Sequence, residues 1–145
     1  MNTIEIRADD GRNAFEPGEV MRGHVTWSLD DVPKSVVLRL FWIARGEGAD
    51  EVKVVEEQEL TQAVQQAERP FEVKLPTGPY SFRGPLFSLR WAVEAIAKPS
   101  GEVGRLELVV GPGGGEVFVT EVEGAEEAKS PIGLVKQALK RLPKR

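Results

Sequence analysis

Side chains that commonly act in catalysis are few in this chain. Cysteine is absent, and His24 is the only histidine. A Ser/His/Asp or Cys/His site needs a base that a third group holds in place, whereas His24 lies in an alternating stretch that predicts a β-strand. Zinc sites need several cysteine or histidine ligands, and this composition cannot supply them. The sequence therefore predicts no catalytic residue, no cofactor and no zinc site, and we expect a protein that is not an enzyme.

Carboxylates offer a different chemistry, because Ca²⁺ is bound by oxygen ligands. Three pairs of acids fall in predicted turns: Asp9–Asp10, Asp30–Asp31 and Asp50–Glu51. Loops of a β-sandwich gather at its two ends, so such pairs could converge there. Two interpretations stay open, namely solvated turn acids and a Ca²⁺ site.

The tryptophans and the glycine-rich segment suggest two further kinds of binding site. Trp27 and Trp91 lie on the apolar sides of alternating stretches, which favours the core for both. Trp42 lies in a stretch that is apolar on both sides, so a core position and a carbohydrate-binding position both stay open for it. The segment Gly111–Gly115 lacks the Gly-Lys-Ser/Thr ending and the following helix of a phosphate-binding P-loop. It predicts a flexible hairpin loop.

Charge divides the chain into an acidic body and a basic end. The 145 residues carry a net charge of −4. Residues 129–145 hold six of the 19 basic residues and none of the 23 acids, which leaves 13 bases against 23 acids, a charge of −10, in residues 1–128. An acidic body disfavours nucleic acid as a partner. The start of the chain does not resemble a signal peptide, and no apolar run approaches the ~20 residues that span a bilayer, so we expect a cytoplasmic protein.

Alternating apolar residues organise most of the chain, most clearly within residues 71–97. There, two alternating stretches flank a Pro/Gly turn at 76–79. A period of two predicts strands with one buried face. Similar short stretches with turns between them recur from residue 3 to residue 122, which predicts an all-β sandwich of two packed antiparallel sheets.

Four local predictions follow from the same patterns. Pro17 and Gly18 predict a type II turn, since Gly18 can adopt the positive φ that its second central position needs. We expect strands at Val20–Ser28 and at Ser35–Ala44. Residues 62–68 tolerate a helix, and we expect a loop or one helical turn there.

The basic end predicts a short amphipathic helix. Ser130 is a good N-cap, Pro131 suits the first helical position, and Pro143 follows the last apolar residue. The residues that could contact a partner or a membrane recur at helical spacing or flank the apolar positions: Ile132, Val135, Lys136, Leu139, Lys140 and Arg141. The helix could dock on its own sandwich, bind a partner or lie weakly on an anionic membrane surface. We divide the chain into a sandwich at 1–123, a linker at 124–130 and a helix at 131–142.

Two motifs resemble the arrestin-like domain family, which includes sorting adaptors and bacterial sporulation-control relatives. The stretch Phe15–Trp27 reads FEPGEVMRGHVTW, and Lys74–Ala95 reads KLPTGPYSFRGPLFSLRWAVEA. They occur in the order found in the family, and the similarity covers roughly residues 3–122. The resemblance implies an immunoglobulin-like sandwich that serves as a scaffold for binding proteins, and it implies no catalytic residues. Arrestin-like proteins commonly have two such sandwiches, whereas this chain has room for one.

We therefore predict a non-enzymatic protein-interaction module that presents a strand edge or loops to a protein partner. A homodimer, built through an edge strand or the terminal helix, is a further prediction. The alternatives are a ligand-binding sandwich for carbohydrate or Ca²⁺ and a peripheral membrane-surface protein that binds through its basic helix.

Overall fold

The computed structural model describes residues 2–60 and 63–118. Nearly all of these residues lie in strands or in the turns between them, and a single 3₁₀ turn at Pro112–Gly114 is the one helical element in the described part. The ten strands are β1 (Thr3–Ala8), β2 (Ala14–Phe15), β3 (Val20–Ser28), β4 (Ser35–Gly46), β5 (Ala49–Leu60), β6 (Gln66–Lys74), β7 (Phe82–Arg83), β8 (Ser88–Lys98), β9 (Val103–Val110) and β10 (Val117–Phe118).

The strands form two sheets, as the alternation predicts. The first sheet has the order β1-β3-β6, with antiparallel pairing throughout. The second has β4 and β8 at its centre and β5 at one edge, while β7 and β9 pair with successive parts of the other side of β8. The two-residue strands β10 and β2 extend β7 and β9 in parallel. The fold is an immunoglobulin-like β-sandwich, and only these two short parallel pairs depart from the predicted antiparallel pattern.

The core lies between the sheets and is made by the inward side of each alternation. Trp27 and Trp91 are buried there, and each places its indole N–H on a backbone carbonyl, of Val64 at 2.7 Å and of Pro79 at 2.8 Å. A buried indole needs such a partner. Trp42 also belongs to the core and is only 6% exposed. The burial of Trp42 therefore contradicts its interpretation as a carbohydrate-binding residue.

One side of the sandwich is closed by a close approach of β1 to β9. A Cβ atom on Gly104 would lie 2.3 Å from the backbone oxygen of Ile4, so only glycine permits the approach. On the other side, β5 pairs only with β4 and β6 only with β3 among the described strands. A hydrogen bond from the Gln58 side chain to the backbone carbonyl of Glu72, at 2.8 Å, links these two edges.

The two motifs that resemble the arrestin-like family meet in space. Gly18 has a φ of 81°, and the Glu19 N–H donates to the carbonyl of Glu16 at 3.1 Å, which confirms the predicted turn. The Gly18 N–H then donates to the carbonyl of Pro76, and the Leu75 N–H donates to the carbonyl of Glu19. The first motif is thus held against the start of the second by backbone hydrogen bonds.

Two local predictions were wrong. Residues 66–68 are strand, because the long antiparallel register with β3 begins at Gln66 and outweighs the weak helical preference of six residues. Residues 111–115 do not close a hairpin, because β10 pairs with β7 rather than with β9. The predicted linker at 124–130 and the predicted helix at 131–142 lie outside the described residues.

Candidate functional site

The outer face of the first sheet is polar at nearly every position. Arg7 bonds Glu68 at 3.0 Å and Arg22 bonds Glu72 at 2.8 Å, so opposite charges are paired across the strands. The outward residues of this face include Glu5, Arg7, Arg22, His24, Thr26, Ser28, Gln66, Glu68 and Glu72. Such a face is well solvated and offers a partner little apolar surface.

His24 lies on this polar face, half-buried, as the sequence predicts for a strand histidine. Its Nδ1 lies 2.6 Å from a carboxylate oxygen of Asp9. The hydroxyl of Thr26, on the same side of the strand, donates to Glu68 at 3.2 Å and not to the imidazole. Nucleophilic catalysis would need a hydroxyl that donates to the histidine, so the pair acts as an exposed polar contact.

The outer face of the second sheet differs, and a row of alternating charges crosses it. The strand register places Glu57, Arg39, Glu94 and Arg105 side by side across β5, β4, β8 and β9. Arg39 donates to Glu57 at 2.7 Å, and Arg105 donates to Glu94 at 2.9 Å. We call these four residues the charge row. Side chains of opposite charge that face each other across neighbouring strands stabilise the pairing of those strands.

Next to the charge row lies a group of apolar side chains that we call the apolar patch. It consists of Phe41, Ile43, Val52, Val54 and Ala92, which neighbour one another across β5, β4 and β8. Phe41 is only 4% exposed and Ala92 only 6%, and the guanidinium of Arg105, in the charge row, lies 5.2 Å from the centre of the Phe41 ring. Val52 and Val54 are 59% and 46% exposed. The patch therefore has a buried base and an exposed apolar rim.

A β-bulge positions the two exposed valines. The register between β4 and β5 shifts between Leu40 and Phe41, so that Val55 has no direct partner. Without the shift, Val52 and Val54 would point to the same side as Leu60, which belongs to the core. The extra residue turns them outward instead. Because strict alternation places Val52 and Val54 on the inward side, the sequence indicates that β4 is apolar on both sides but does not reveal the outward apolar residues of β5.

Beyond the apolar patch, three arginines line an open depression. Arg45, Arg83 and Arg90 surround it together with the exposed Leu86. Their nearest carboxylate oxygens lie at 3.9, 3.4 and 3.7 Å. These distances are longer than those of the charge row, so the guanidinium groups are only loosely paired. The ring of Phe87, packed on Gly46, holds the loop before β8 at this place.

The acids of the turns are engaged in structural contacts. Arg12 bonds Asp10 at 2.6 Å and Glu19 at 2.5 Å. Hydrogen bonds from the Arg12 backbone and guanidinium lower the pKa of Asp10, and the Arg12 guanidinium likewise lowers the pKa of Glu19. The hydrogen bond with Glu19 raises the pKa of Arg12. In residues 2–60 and 63–118 no group of three His, Cys, Asp or Glu side chains could hold a metal ion.

The residues predicted to contact a partner or a membrane, 131–142, lie outside the described part of the chain. The structure instead brings together residues that the sequence does not predict as a site, namely the apolar patch between the charge row and the arginine-lined depression. In the described part, no helix combines the length and hydropathy needed to cross a bilayer.

Comparison of sequences identifies no relative: no protein-family model matches the chain, and no curated protein matches it. Comparison of structures finds proteins of similar fold. Spo0M, a sporulation control protein from Bacillus subtilis, superimposes with a TM-score of 0.58 at 16% identity, over 77% of this chain and 49% of that chain. The chain thus spans about half the length of Spo0M. This likeness supports the sandwich fold, and at such low identity it concerns the fold alone.

Two further solved structures are less similar. A CARDB domain of the PF1109 protein from Pyrococcus furiosus, in complex with di-metal ions, has a TM-score of 0.44 at 10% identity, over 76% of this chain and 92% of that chain. The β-glucosidase from Listeria innocua in complex with isofagomine has a TM-score of 0.43 at 15% identity, over 80% of this chain and 17% of that chain. We rest the fold assignment on Spo0M.

Proposed function

We propose that this chain is a non-enzymatic protein-interaction module of the arrestin-like type, possessing a single sandwich. Three features support the family: the two motifs, their contact through Gly18 and Leu75, and the likeness in fold to Spo0M. Spo0M is a sporulation control protein, and a regulatory role through protein binding is the corresponding proposal for this chain.

The main support for this proposal is the difference in polarity between the outer faces of the two sheets. The first sheet presents paired charges and hydroxyls, whereas the second presents the apolar patch with two valines about half exposed. Contiguous exposed apolar side chains with a charged rim are typical of protein-binding surfaces. We therefore place the binding surface on the outer face of the second sheet.

The alternatives from the sequence have less support. The carbohydrate hypothesis depended on Trp42, which lies in the core. The Ca²⁺ hypothesis depended on converging loop acids, but Asp10 is bonded to Arg12 and the described residues contain no group of three ligands. The membrane-surface hypothesis depends on residues 131–142 and stays a prediction.

The test is affinity capture from a native lysate with quantitative mass spectrometry, using the full chain as bait. The variant Val52→Glu/Val54→Glu places two charges on the rim of the apolar patch. We expect it to reduce captured partners by about tenfold or more, because the patch would form the apolar centre of the interface, where buried charges are strongly unfavourable.

The matched control is Thr3→Glu/Gln66→Glu, which adds two charges to the exposed outer face of the first sheet. It should capture the same proteins as the unmodified chain, and circular dichroism should show that both variants keep the β-sheet spectrum. Equal capture by the two variants would contradict a binding surface on the second sheet.

A further inference from the structure

We infer that residues 131–142 of this same chain dock on the apolar patch, with their apolar side toward Val52 and Val54 and their basic residues near the acidic strand β5. The inference rests on the proposed function in one respect, since both use the outer face of the second sheet. It identifies the chain's own terminal segment as an occupant of that face, which a protein partner would displace on binding.

Apolar complementarity is the first reason. An isolated helix of about 12 residues is marginal in water, so the helix that the sequence predicts needs a surface against which to bury its apolar side. That side comprises Ile132, Val135, Leu139 and Leu142. The outer face of the first sheet is polar, whereas the patch on the second sheet is an apolar surface with Val52 59% and Val54 46% exposed.

Charge complementarity is the second reason. Strand β5 carries five acids against one lysine, namely Asp50, Glu51, Glu56, Glu57 and Glu59 against Lys53. The last 17 residues carry six basic residues and no acid. Register places Asp50, Glu57 and Glu59 on the outer face with the patch; Glu57 pairs with Arg39 at 2.7 Å, whereas Asp50 is only loosely paired, 3.9 Å from Arg45. The basic residues of the segment therefore have Asp50 and Glu59 of β5 available as partners beside the patch.

The chain is also long enough. The described part ends at Phe118 in β10, which belongs to the second sheet. Residues 119–130 then precede the predicted helix, and twelve extended residues span at most about 40 Å. A domain of this size has a radius of gyration near 14 Å, so the linker can bring the helix to the patch without leaving its own molecule.

A second copy of the chain is a poorer occupant of the patch. Docking two copies through the same surface would bring two acidic β5 strands together, and like charges at an interface are unfavourable. The basic segment of the same chain has both the opposite charge and a high effective concentration.

The absence of cysteine makes a disulfide test unambiguous. In the full chain, the pair Val54→Cys/Leu139→Cys joins the rim of the patch to the apolar side of the segment. Under mild oxidation we expect an intramolecular disulfide, seen as a monomer of altered mobility on a non-reducing gel and identified by peptide mapping.

Two control pairs separate docking from chance collision. Thr26→Cys/Leu139→Cys uses the outer face of the first sheet, and Val54→Cys/Gln137→Cys uses the opposite side of the predicted helix. The pair Val54→Cys/Leu139→Cys should form its disulfide about tenfold faster than either control pair, because docking raises the local concentration of the two thiols. Equal rates for all three pairs would overturn the inference, and disulfide-linked dimers without the intramolecular product would overturn it in favour of a second copy.

The result can be distinguished from the outcome of the capture experiment. If charged variants of the patch capture the same partners as the unmodified chain, the proposed function fails while a cross-link between residues 54 and 139 still supports docking. If the cross-link does not form, docking fails while a loss of captured partners still supports the binding surface.

Discussion

Arg12 connects two turns at one end of the sandwich. It bonds Asp10 and Glu19, and its guanidinium lies 4.6 Å from the ring centre of the buried Phe15. Glu16, in the same turn, accepts a hydrogen bond from the N–H of Gly113 at 3.0 Å. The acids near the first motif therefore hold the turns and the 3₁₀ segment together.

Replacing Arg12 by glutamine should change how stability depends on pH. The pKa values of Asp10 and Glu19 are lowered in the folded chain, chiefly by hydrogen bonds from Arg12. Their stabilising contribution is therefore fully present above the unfolded pKa values, about 4, and it is lost as the pH falls through the folded values. We expect the difference in melting temperature between the unmodified chain and Arg12→Gln to be largest near pH 7 and to shrink below about pH 4.

Thermal melts between pH 2 and pH 7 measure this difference. Some of it should persist in acid, because contact with the Phe15 ring does not depend on the carboxylates. Arg45→Gln is the control for the loss of one positive charge, since the nearest carboxylate oxygen to Arg45 lies at 3.9 Å. A difference for Arg12→Gln that stays constant over the whole pH range would show that Asp10 and Glu19 do not supply it.

At the scale of elements, the charge row joins four strands of the second sheet. Glu94 is its most buried acid, with a side chain only 12% exposed, and register places it between Arg39 and Arg105. Removing it would leave two guanidinium groups beside each other without the carboxylate that separates them. Loss of a partly buried charged partner costs more than loss of an exposed one.

We expect Glu94→Ala to lower the free energy of unfolding by about 1–3 kcal/mol. Glu107→Ala is the matched control, because Glu107 lies on the same face, is 57% exposed and is 3.7 Å from Arg90. It should change the free energy by no more than about 0.5 kcal/mol. Urea unfolding followed by tryptophan fluorescence measures both, and equal effects of the two substitutions would contradict the structural role of the charge row.

The strands were predictable where alternation acts alone. Val20–Ser28 was predicted with its bounds, because Met21, Val25 and Trp27 alternate with polar residues and face the core. The strand conformation of residues 66–68 was not predicted, because their local preference for a strand is weak. It comes from pairing with β3, which is far away in the sequence. The two-residue strand β7 was missed for the same reason, since pairing with Leu89 and Ser88 defines it.

The binding surface was less predictable than the fold. The outward apolar residues of β4 are visible in the sequence, since Val37, Phe41 and Ile43 alternate with its inward residues. Val52 and Val54 join Phe41 and Ile43 only because of the bulge at Val55, and a bulge has no strong signature in a sequence. Which apolar side chains share a face is thus a property of register, which local patterns do not encode.

For the whole molecule, the edges that β5 and β6 form in the described part of the chain bear on self-association. Edge strands expose unpaired backbone groups that can pair with another chain. Strand β6 contains Pro70, which lacks an N–H, and strand β5 is strongly acidic, so both edges resist pairing with a second copy. The homodimer predicted from the sequence stays a prediction, and these edges make the strand-mediated form less favourable than one built through the terminal segment.

The charge division of the molecule should make its overall size depend on salt. A body of charge −10 and a terminal segment of charge +6 attract each other when screening is weak. The Debye length is about 30 Å at 0.01 M salt and about 3 Å at 1 M. Small-angle X-ray scattering of the full chain should give a radius of gyration near 15 Å in low salt, as for a compact chain of this length, and a larger value in high salt.

The variant Lys136→Glu/Lys140→Glu/Arg141→Glu removes the attraction while it keeps the apolar positions of the segment. Its radius of gyration should be large already in low salt and should change little on adding salt. The control Lys34→Glu/Lys98→Glu reverses two exposed charges at the ends of β4 and β8, away from the apolar patch. It should remain compact in low salt, because the segment and strand β5 keep their charges. A triple variant as compact as the unmodified chain would mean that electrostatic attraction to the body does not hold the terminal segment in place.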